Sequence, residues 1–408
     1  MLEASVVQSI TAAVDEQRLV QKALELVSVP SPTGEEQAMG EHMARSLREL
    51  GLDVERQEVE AGRPNVVGVL KGSGGGPSLM LNGHLDTSYS GTEPWLDGIP
   101  GFRPKGFVRD GRIYGLGISN MKGALACYME AVAALSEAGV RLRGDLVVAA
   151  VAGEIEKAEW GEFRGKQYRG YGAGARFLVS HGVGADMCLL GEPTEQKIVL
   201  AHFGTIWLRL STTGPFVHTA FSAGRLAENS IVRMRDVTDA VIEWLPRWED
   251  EMSYGEVRGV ASIGAVSGGF PWRVSRTPHR TDLFLDLRVP PGVSTDEAAT
   301  RALDFARSLD VEAEIYVNTP GAEIEEGHPL VTAVEEAHEA VFGERPARDV
   351  VHWYSDASTL AAHGIPTLNY GTSSGLPDPD LGENLEAAGL VATAKVYALS
   401  AADICGAT

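Results

Sequence analysis

The stretch SLMLNGHLDT (residues 78–87) combines a short apolar run with a histidine and an aspartate at the point where the run ends. Bounded by a Gly-rich turn before it, this run predicts a buried β-strand. His84 and Asp86 are two positions apart, so on a strand their side chains point to the same side. Strand ends of an open parallel sheet bind ligands, which makes His84 a candidate metal ligand and Asp86 the residue that orients it. On this spacing alone, a histidine satisfied within a loop is an equal alternative.

Strands and helices alternate on both sides of this stretch. Further strands are predicted at PNVVGVLKG (64–72), GDLVVAAVAGE (144–154) and DMCLLGEPT (186–194). Helices are predicted over residues 34–51, from about Ala124 and near residues 173–181. This alternation predicts an α/β fold, a mostly parallel sheet with helices on both faces.

The pattern changes between residues 206 and 318, where the order is strand, helix, strand, strand, helix, strand. That order is typical of a ferredoxin-like α+β sandwich. Because the helix–strand alternation then resumes, we predict one α/β domain formed by residues 1–205 and 319–408. Residues 206–318 form an inserted α+β domain that interrupts it.

Composition and charge indicate which cellular compartment and which classes of partner the sequence favours. The chain has 408 residues, 44% of them hydrophobic, and a formal charge of −21, which argues against nucleic acid and anionic membranes as partners. The three cysteines, Cys127, Cys188 and Cys405, are far apart and odd in number, so neither a disulfide framework nor a thiolate zinc site fits them. We expect a cytoplasmic protein that acts on a small molecule, without a membrane helix or a secretion signal.

Three more polar residues follow predicted structural elements. Glu154 ends the strand 144–154, Glu192 lies in the motif GEPT, and His218 lies in a loop that precedes a helix of the inserted domain. Each alone has an ordinary explanation, namely a solvated glutamate, a turn and an exposed histidine. Together with His84, however, the two glutamates place three candidate ligands or bases on one predicted sheet edge.

These motifs, in this order, resemble the metal-dependent aminoacylase and carboxypeptidase family, which includes acetylornithine deacetylase, succinyl-diaminopimelate desuccinylase and glutamate carboxypeptidase. The resemblance covers nearly the whole chain, and its motifs include VPSPTGEE (29–36), NGHLDT (82–87), GLGISNMKG (115–123), GEPT (191–194), YSDAS (354–358) and GIPTLNYG (364–371). It implies a two-metal hydrolase of amide bonds whose inserted domain pairs two subunits. It also implies that a loop histidine, here His218, reaches the active site of the partner subunit.

The metal ligands of the family match this sequence only in part. The resemblance assigns His84 and Glu192 to the first metal ion and makes Glu154 the general base. The aspartate that bridges both ions in relatives is Asn120 here, and the glutamate after the base is Ile155. The C-terminal histidine of the second ion is also missing from the corresponding segment GLPDPDLGENLEAA (375–388).

All three departures concern the bridge or the second metal ion. A neutral asparagine offers one good acceptor oxygen, so Asn120 can bind one ion but bridges two poorly. We therefore predict a single divalent ion, Mn²⁺, Zn²⁺ or Fe²⁺, held by His84, Asn120 and Glu192. Two alternatives stay open. In the first, Glu156 rather than Glu154 aligns with the glutamate motif of the family. In the second, Asp378, Asp380 or Glu383 replaces the missing histidine as a ligand.

The leading functional prediction is a hydrolase of a C–N bond in a small substrate that carries a carboxylate. One metal-activated water is the nucleophile, Glu154 is the general base, and His218 stabilises developing negative charge. Arg273 and Arg276 are candidate contacts of the substrate carboxylate, although a solvated loop explains them as well.

The substrate and the class of the protein have alternatives. The aromatic triplets at 270–272 and 352–354 suggest a nitroaromatic amine such as 5-nitroanthranilate, the substrate of one unusual branch of the family. An ordinary N-acyl amino acid amidohydrolase or carboxypeptidase, with replaced second-metal ligands, is the main alternative. A non-catalytic binding homologue is the other. The inserted domain predicts a homodimer or a higher homo-oligomer.

Overall fold

The computed structural model describes residues 2–372 and 377–408. Its helices are α1 (Ala4–Ala13), α2 (Glu16–Val27), α3 (Gln37–Glu49), α4 (Gly123–Glu137), α5 (Ala173–Ser180), α6 (Ser230–Glu251), α7 (Thr295–Ser308), α8 (Pro329–Phe342), α9 (Ala357–Ala362) and α10 (Ala387–Cys405). Its strands are β1 (Asp53–Glu60), β2 (Arg63–Leu70), β3 (Leu79–His84), β4 (Phe107–Arg109), β5 (Arg112–Tyr114), β6 (Leu146–Val151), β7 (Met187–Leu190), β8 (Ile198–His202), β9 (Gly204–Thr213), β10 (Ala261–Gly268), β11 (Arg280–Val289), β12 (Glu312–Thr319), β13 (Ala322–Glu323), β14 (Arg348–Val351), β15 (Thr367–Asn369) and β16 (Asn384–Glu386).

The chain divides into two compact units. The first consists of Met1–Leu200, Glu323–Asp349 and Ser355–Thr408, and the second of Ala201–Ala322 and Val350–Tyr354. The segment predicted as an insertion lies within the second unit, which also takes up the short segment 350–354.

A mixed sheet forms the centre of the first unit. Its strand order is β1-β2-β6-β3-β7-β15-β8-β13, with β14 beside β8. The central strands β6, β3, β7 and β15 are parallel, whereas β1 pairs antiparallel with β2, β2 with β6, and β8 with β15. Every residue of β3 and β6 is buried. Because successive side chains point to opposite faces, both faces of the sheet are covered, which confirms the predicted α/β class.

The parallel central strands end at a common edge. His84 is the last residue of β3 and pairs with Val151 at the end of β6, and Leu190 at the end of β7 pairs with Asn369 at the end of β15. Chain segments that leave these four strand ends therefore begin side by side. Glu154 and Glu192 lie in two of those segments, two or three residues beyond their strands.

The second unit contains a four-stranded antiparallel sheet with the order β10-β11-β9-β12. Along the chain its elements run β9, α6, β10, β11, α7, β12, so the predicted ferredoxin-like order is confirmed. Alternate residues of β11 are buried, including Leu283, Leu285 and Leu287, and they form a core with α6 and α7. One face of this sheet is thus covered by helices.

The three cysteines and helix α10 belong to the core of the first unit. Cys127, Cys188 and Cys405 are buried and free.

Helix α10 is long and apolar enough to cross a membrane by length and composition alone, but 67% of its most apolar window is buried inside the molecule. Its side chains, among them Tyr397 and Leu399, belong to the main hydrophobic cluster. Such burial is typical of a core helix.

Candidate metal and catalytic site

His84 is buried at the end of β3 and its ring is held in one orientation. Nδ1 lies 2.8 Å from the backbone carbonyl oxygen of Asp86, which can only accept, so Nδ1–H is the donor. The neutral ring then carries its lone pair on Nε2, the state that a metal-binding histidine needs. Nε2 lies 2.8 Å from Asn120 Oδ1 and 3.8 Å from Glu154 Oε2. Because Asn120 Oδ1 can only accept, two lone pairs face each other at 2.8 Å in the neutral ring, an arrangement that a shared cation would offset.

Asp86 orients His84 through its backbone rather than its carboxylate. The side-chain Oδ1 is 3.5 Å from His84 Nδ1, too far for a good hydrogen bond. Instead, the carboxylate accepts hydrogen bonds from the backbone N–H of Glu154 (3.0 Å) and Ile155 (3.3 Å) and from Thr33 Oγ1 (2.8 Å). Asp86 thus fixes the turn that carries Glu154 against the end of β3.

Gly153 allows that turn to form. Its φ is 67°, a left-handed conformation that favours glycine, and a Cβ there would lie 2.3 Å from Nη2 of the buried Arg63. Glu154 follows and is buried, whereas Ile155 is an apolar buried residue without a ligand atom. Glu156 is only half-buried and is outside the group formed by His84, Glu154 and Glu192. The geometry therefore favours Glu154 over Glu156 as the residue that aligns with the glutamate motif of the family.

Asn120 lies in an irregular turn that precedes α4 and is anchored by Glu383. One oxygen of Glu383 accepts from Ser119 N (2.9 Å), Ser119 Oγ (2.7 Å) and Asn120 N (3.3 Å), and the other accepts from Gly117 N (2.8 Å). Gly117 has φ 82°, and a Cβ there would lie 2.6 Å from Thr87. The turn is thus fixed at both of its sides.

These contacts bear on the proposed replacement ligands for a second ion. Both oxygens of Glu383 are engaged by the Asn120 turn. Asp378 Oδ1 accepts from the backbone N–H of Asp380 and Leu381, so it closes a local turn, and Asp380 is exposed. None of the three carboxylates is part of a metal-binding group among the residues that the structure describes.

His84, Glu154 and Glu192 form a compact group of possible metal ligands. One ligand atom from each lies within 4.8 Å of the others, and all three residues are buried. Glu192 Oε1 is buried without a hydrogen-bond partner in the described part of the chain. Since a buried carboxylate oxygen is costly when it is unpaired, this orphaned atom together with the free nitrogen of His84 fits a cation.

Burial and mutual repulsion shape the charges of this group. Burial, opposed by His84 and assisted by Asp86, raises the pKa of Glu192 to about 6. The pKa of Glu154 is raised well above its ordinary value by burial and then by Glu192 and Asp356. Burial opposes ionisation of His84, but Glu192 and Asp86 raise its pKa nonetheless. A site with this much negative charge attracts a divalent cation.

The remaining predicted residues lie in the second unit. His218 is half-buried, and its Nδ1 accepts from Ala220 N at 3.2 Å, which leaves Nε2–H as a donor. An isolated β-bridge joins His218 to Arg276, whose guanidinium lies 5.2 Å from the ring centre of Phe216. Arg273 is exposed in a short 3₁₀ turn. The structure thus brings His218 and Arg276 together.

Sequence reasoning left one acidic residue of this region unassigned. Asp356, in the motif YSDAS, is only 1% exposed, and its charge interacts with those of His84, Glu192 and Asp86. The available signal was an aspartate directly before an apolar helix, which normally indicates a helix cap. Because of that ordinary explanation, the sequence alone did not identify Asp356 as a residue of the site.

The fold and the site place this chain in a family of hydrolases. The model of "Peptidase family M20/M25/M40" matches residues 80–403, and the chain belongs to this family. The predicted resemblance to the aminoacylase and carboxypeptidase family is thereby confirmed.

Named relatives are similar over most of their length. N-formyl-4-amino-5-aminomethyl-2-methylpyrimidine deformylase of Bacillus subtilis is 27% identical over 394 residues, covering 87% of either chain. Succinyl-diaminopimelate desuccinylase of Gluconacetobacter diazotrophicus is 26% identical, covering 92% of this chain and 94% of the relative. The solved structure of the di-peptidase Dug1p from Saccharomyces cerevisiae superposes with a TM-score of 0.76 at 12% identity, covering 99% of each chain. These relatives are hydrolases of amide bonds, which confirms the predicted enzyme class.

Proposed function

We propose that this chain is a metal-dependent amidohydrolase that removes an acyl group from the nitrogen of a small, carboxylate-bearing substrate. The observation that carries the proposal is the buried group of His84, Glu154 and Glu192, whose ligand atoms lie within 4.8 Å of one another. The names of the deformylase and desuccinylase relatives support deacylation of a small molecule.

One divalent ion fits the residues present. His84 Nε2, Asn120 Oδ1 and Glu192 would hold it, and Mn²⁺, Zn²⁺ and Fe²⁺ all accept such nitrogen and oxygen ligands. His84 Nε2 and Asn120 Oδ1 lie 2.8 Å apart, so both atoms could bind the same ion. When bound, the ion supplies Lewis acidity that makes water a better nucleophile and polarises a carbonyl group.

Glu154 is the proposed general base. Its carboxylate takes a proton from the water whose oxygen attacks the amide carbonyl carbon. As the C–N bond breaks, the same carboxyl group returns that proton to the departing nitrogen, so the products are a carboxylic acid and a free amine. Burial raises the pKa of Glu154, which makes its carboxylate a stronger proton acceptor than an exposed one.

His218 and the two arginines are proposed to serve the substrate rather than the ion. The free Nε2–H of His218 is a donor for the negative charge that develops on the carbonyl oxygen. Arg276, which is bridged to His218, and Arg273 are proposed contacts of the substrate carboxylate. By resemblance to the family, His218 acts in the site of a partner subunit, so we propose a homodimer formed through the second unit.

An N-acyl substrate is favoured over the nitroaromatic amine considered above. Trp272 is 77% exposed, and the rings of Trp353 and Tyr354 pack around the buried His202. The deformylase and desuccinylase relatives do not support the nitroaromatic substrate.

Hydrolysis of an N-acyl panel tests the proposed function. With N-formyl, N-acetyl and N-succinyl amino acids, we expect release of free amine from at least one substrate. Chelation should abolish the release, and a divalent ion should restore it. His84→Ala should lower the activity by at least about 100-fold because the ligand nitrogen is lost.

The control is His181→Ala, which removes an exposed histidine of the same unit and should leave the activity unchanged. Hydrolysis that persists in His84→Ala, or that does not respond to chelation, would contradict the proposal. Failure to hydrolyse any member of the panel would contradict the proposed substrate class.

A further inference from the structure

Asp356 stands where an aspartate normally caps a helix, yet it does not cap one. It directly precedes α9, and its side chain accepts no hydrogen bond from that helix. The backbone N–H of Ala357 instead donates to Ser355 Oγ at 3.3 Å. Both carboxylate oxygens of Asp356 are buried and have no hydrogen-bond partner within residues 2–372 and 377–408. The usual reason for an aspartate at this position is therefore absent.

The strongest charges that act on Asp356 belong to residues of the proposed metal site. Burial, opposed by His84 and assisted by Glu192 and Asp86, raises its pKa to about 7. Asp356 also raises the pKa of Glu154. Three carboxylates thus repel it, while His84 is the first of its favourable partners. A buried, unpaired carboxylate among like charges is strongly unfavourable unless a cation offsets it.

Asp356 does not belong to the compact ligand group of His84, Glu154 and Glu192. It therefore lies outside that group, and its carboxylate would act on an ion through its field or through a bridging water molecule. Outer groups of this kind raise metal affinity substantially. The direct ligands contain only one carboxylate, Glu192, because Asn120 is neutral.

We propose that Asp356 is an outer-shell anion of the metal site, which restores the negative charge that Asn120 does not provide. The proposal rests on the proposed function, since it requires the divalent ion at His84, Asn120 and Glu192. Asp356 is a positioning residue in this account, because it acts on the ion without being its ligand. Its effect is on charge and not on shape, which separates it from a structural role.

The test measures Mn²⁺ and Zn²⁺ affinity by calorimetry, and thermal stability without metal, for Asp356→Asn. The dissociation constant should rise by about 10- to 100-fold. In the metal-free protein, the midpoint of thermal unfolding should stay the same or rise, because a repelled buried charge is removed. Asp239→Asn, which removes an exposed aspartate of α6, is the control and should change neither quantity.

A second variant separates charge from structure. Asn120→Asp in the Asp356→Asn background returns one negative charge to the site and should recover most of the lost affinity. Unchanged affinity in Asp356→Asn, or lower metal-free stability with no recovery in the double variant, would overturn the inference. If the wild-type chain binds neither ion, the proposed function itself fails, and that outcome is distinct from failure of Asp356 alone.

Discussion

Replacing Glu154 with glutamine should lower kcat by about 10²–10⁴-fold, the usual contribution of a positioned general base. Glutamine keeps the shape of the side chain but cannot accept the proton from water. The metal content should stay at one ion per chain, because the proposed ligands are His84, Asn120 and Glu192. The measurement is kcat at saturating divalent ion, together with metal analysis of the same preparation.

Glu156→Gln is the matched control, since it removes a half-buried carboxylate two residues further along the same segment. We expect it to retain most of the activity. If Glu156→Gln shows the large loss and Glu154→Gln does not, the assignment of the base is wrong. If Glu154→Gln loses the ion, Glu154 is a ligand and the proposed division of roles is wrong.

Replacing Glu383 with glutamine should loosen the turn that carries Asn120. The carboxylate accepts hydrogen bonds from the backbone N–H groups of Gly117, Ser119 and Asn120, and an amide nitrogen in place of one oxygen leaves donors without an acceptor. We expect the free energy of unfolding of the metal-free protein to fall by about 2–3 kcal/mol. Metal affinity should also fall by about 10- to 100-fold, as it does when supports of metal ligands are lost.

Denaturant unfolding and calorimetric metal titration measure these two effects. The control is Glu386→Gln, an exposed glutamate three residues further on that pairs with Arg112 at 2.6 Å. A surface ion pair of this kind contributes at most about 1 kcal/mol. Equal losses in both variants would mean that Glu383 has no special role. Lower stability with unchanged metal affinity would separate the turn from the metal site.

The parts of the site that follow strands were predictable from the sequence. His84 and Glu192 follow short apolar runs, and parallel strands place their ends on one edge, so pattern alone brings such residues together. The same reasoning predicted the fold class, because alternation of strands and helices specifies a helix-covered parallel sheet.

The supporting contacts were not predictable, because they join segments far apart in the chain. Thr33 donates to the carboxylate of Asp86, and Glu383 accepts from the Asn120 turn more than 260 residues earlier. No local pattern encodes such pairs. Asp356 was missed for a different reason: its position before α9 has an ordinary explanation as a cap, and only the unpaired oxygens in the folded chain set that explanation aside.

The prediction of a single bound ion depends mainly on Asn120. Its neutral side chain accompanies Ile155 and a C-terminal segment without histidine, and Glu383 is engaged elsewhere. The most direct test is the number of divalent ions bound per chain, measured by elemental analysis of purified protein after saturation with Mn²⁺ or Zn²⁺. We predict one ion in the wild-type chain and one in Asn120→Asp. Two ions in the wild-type chain, or none, would contradict this prediction.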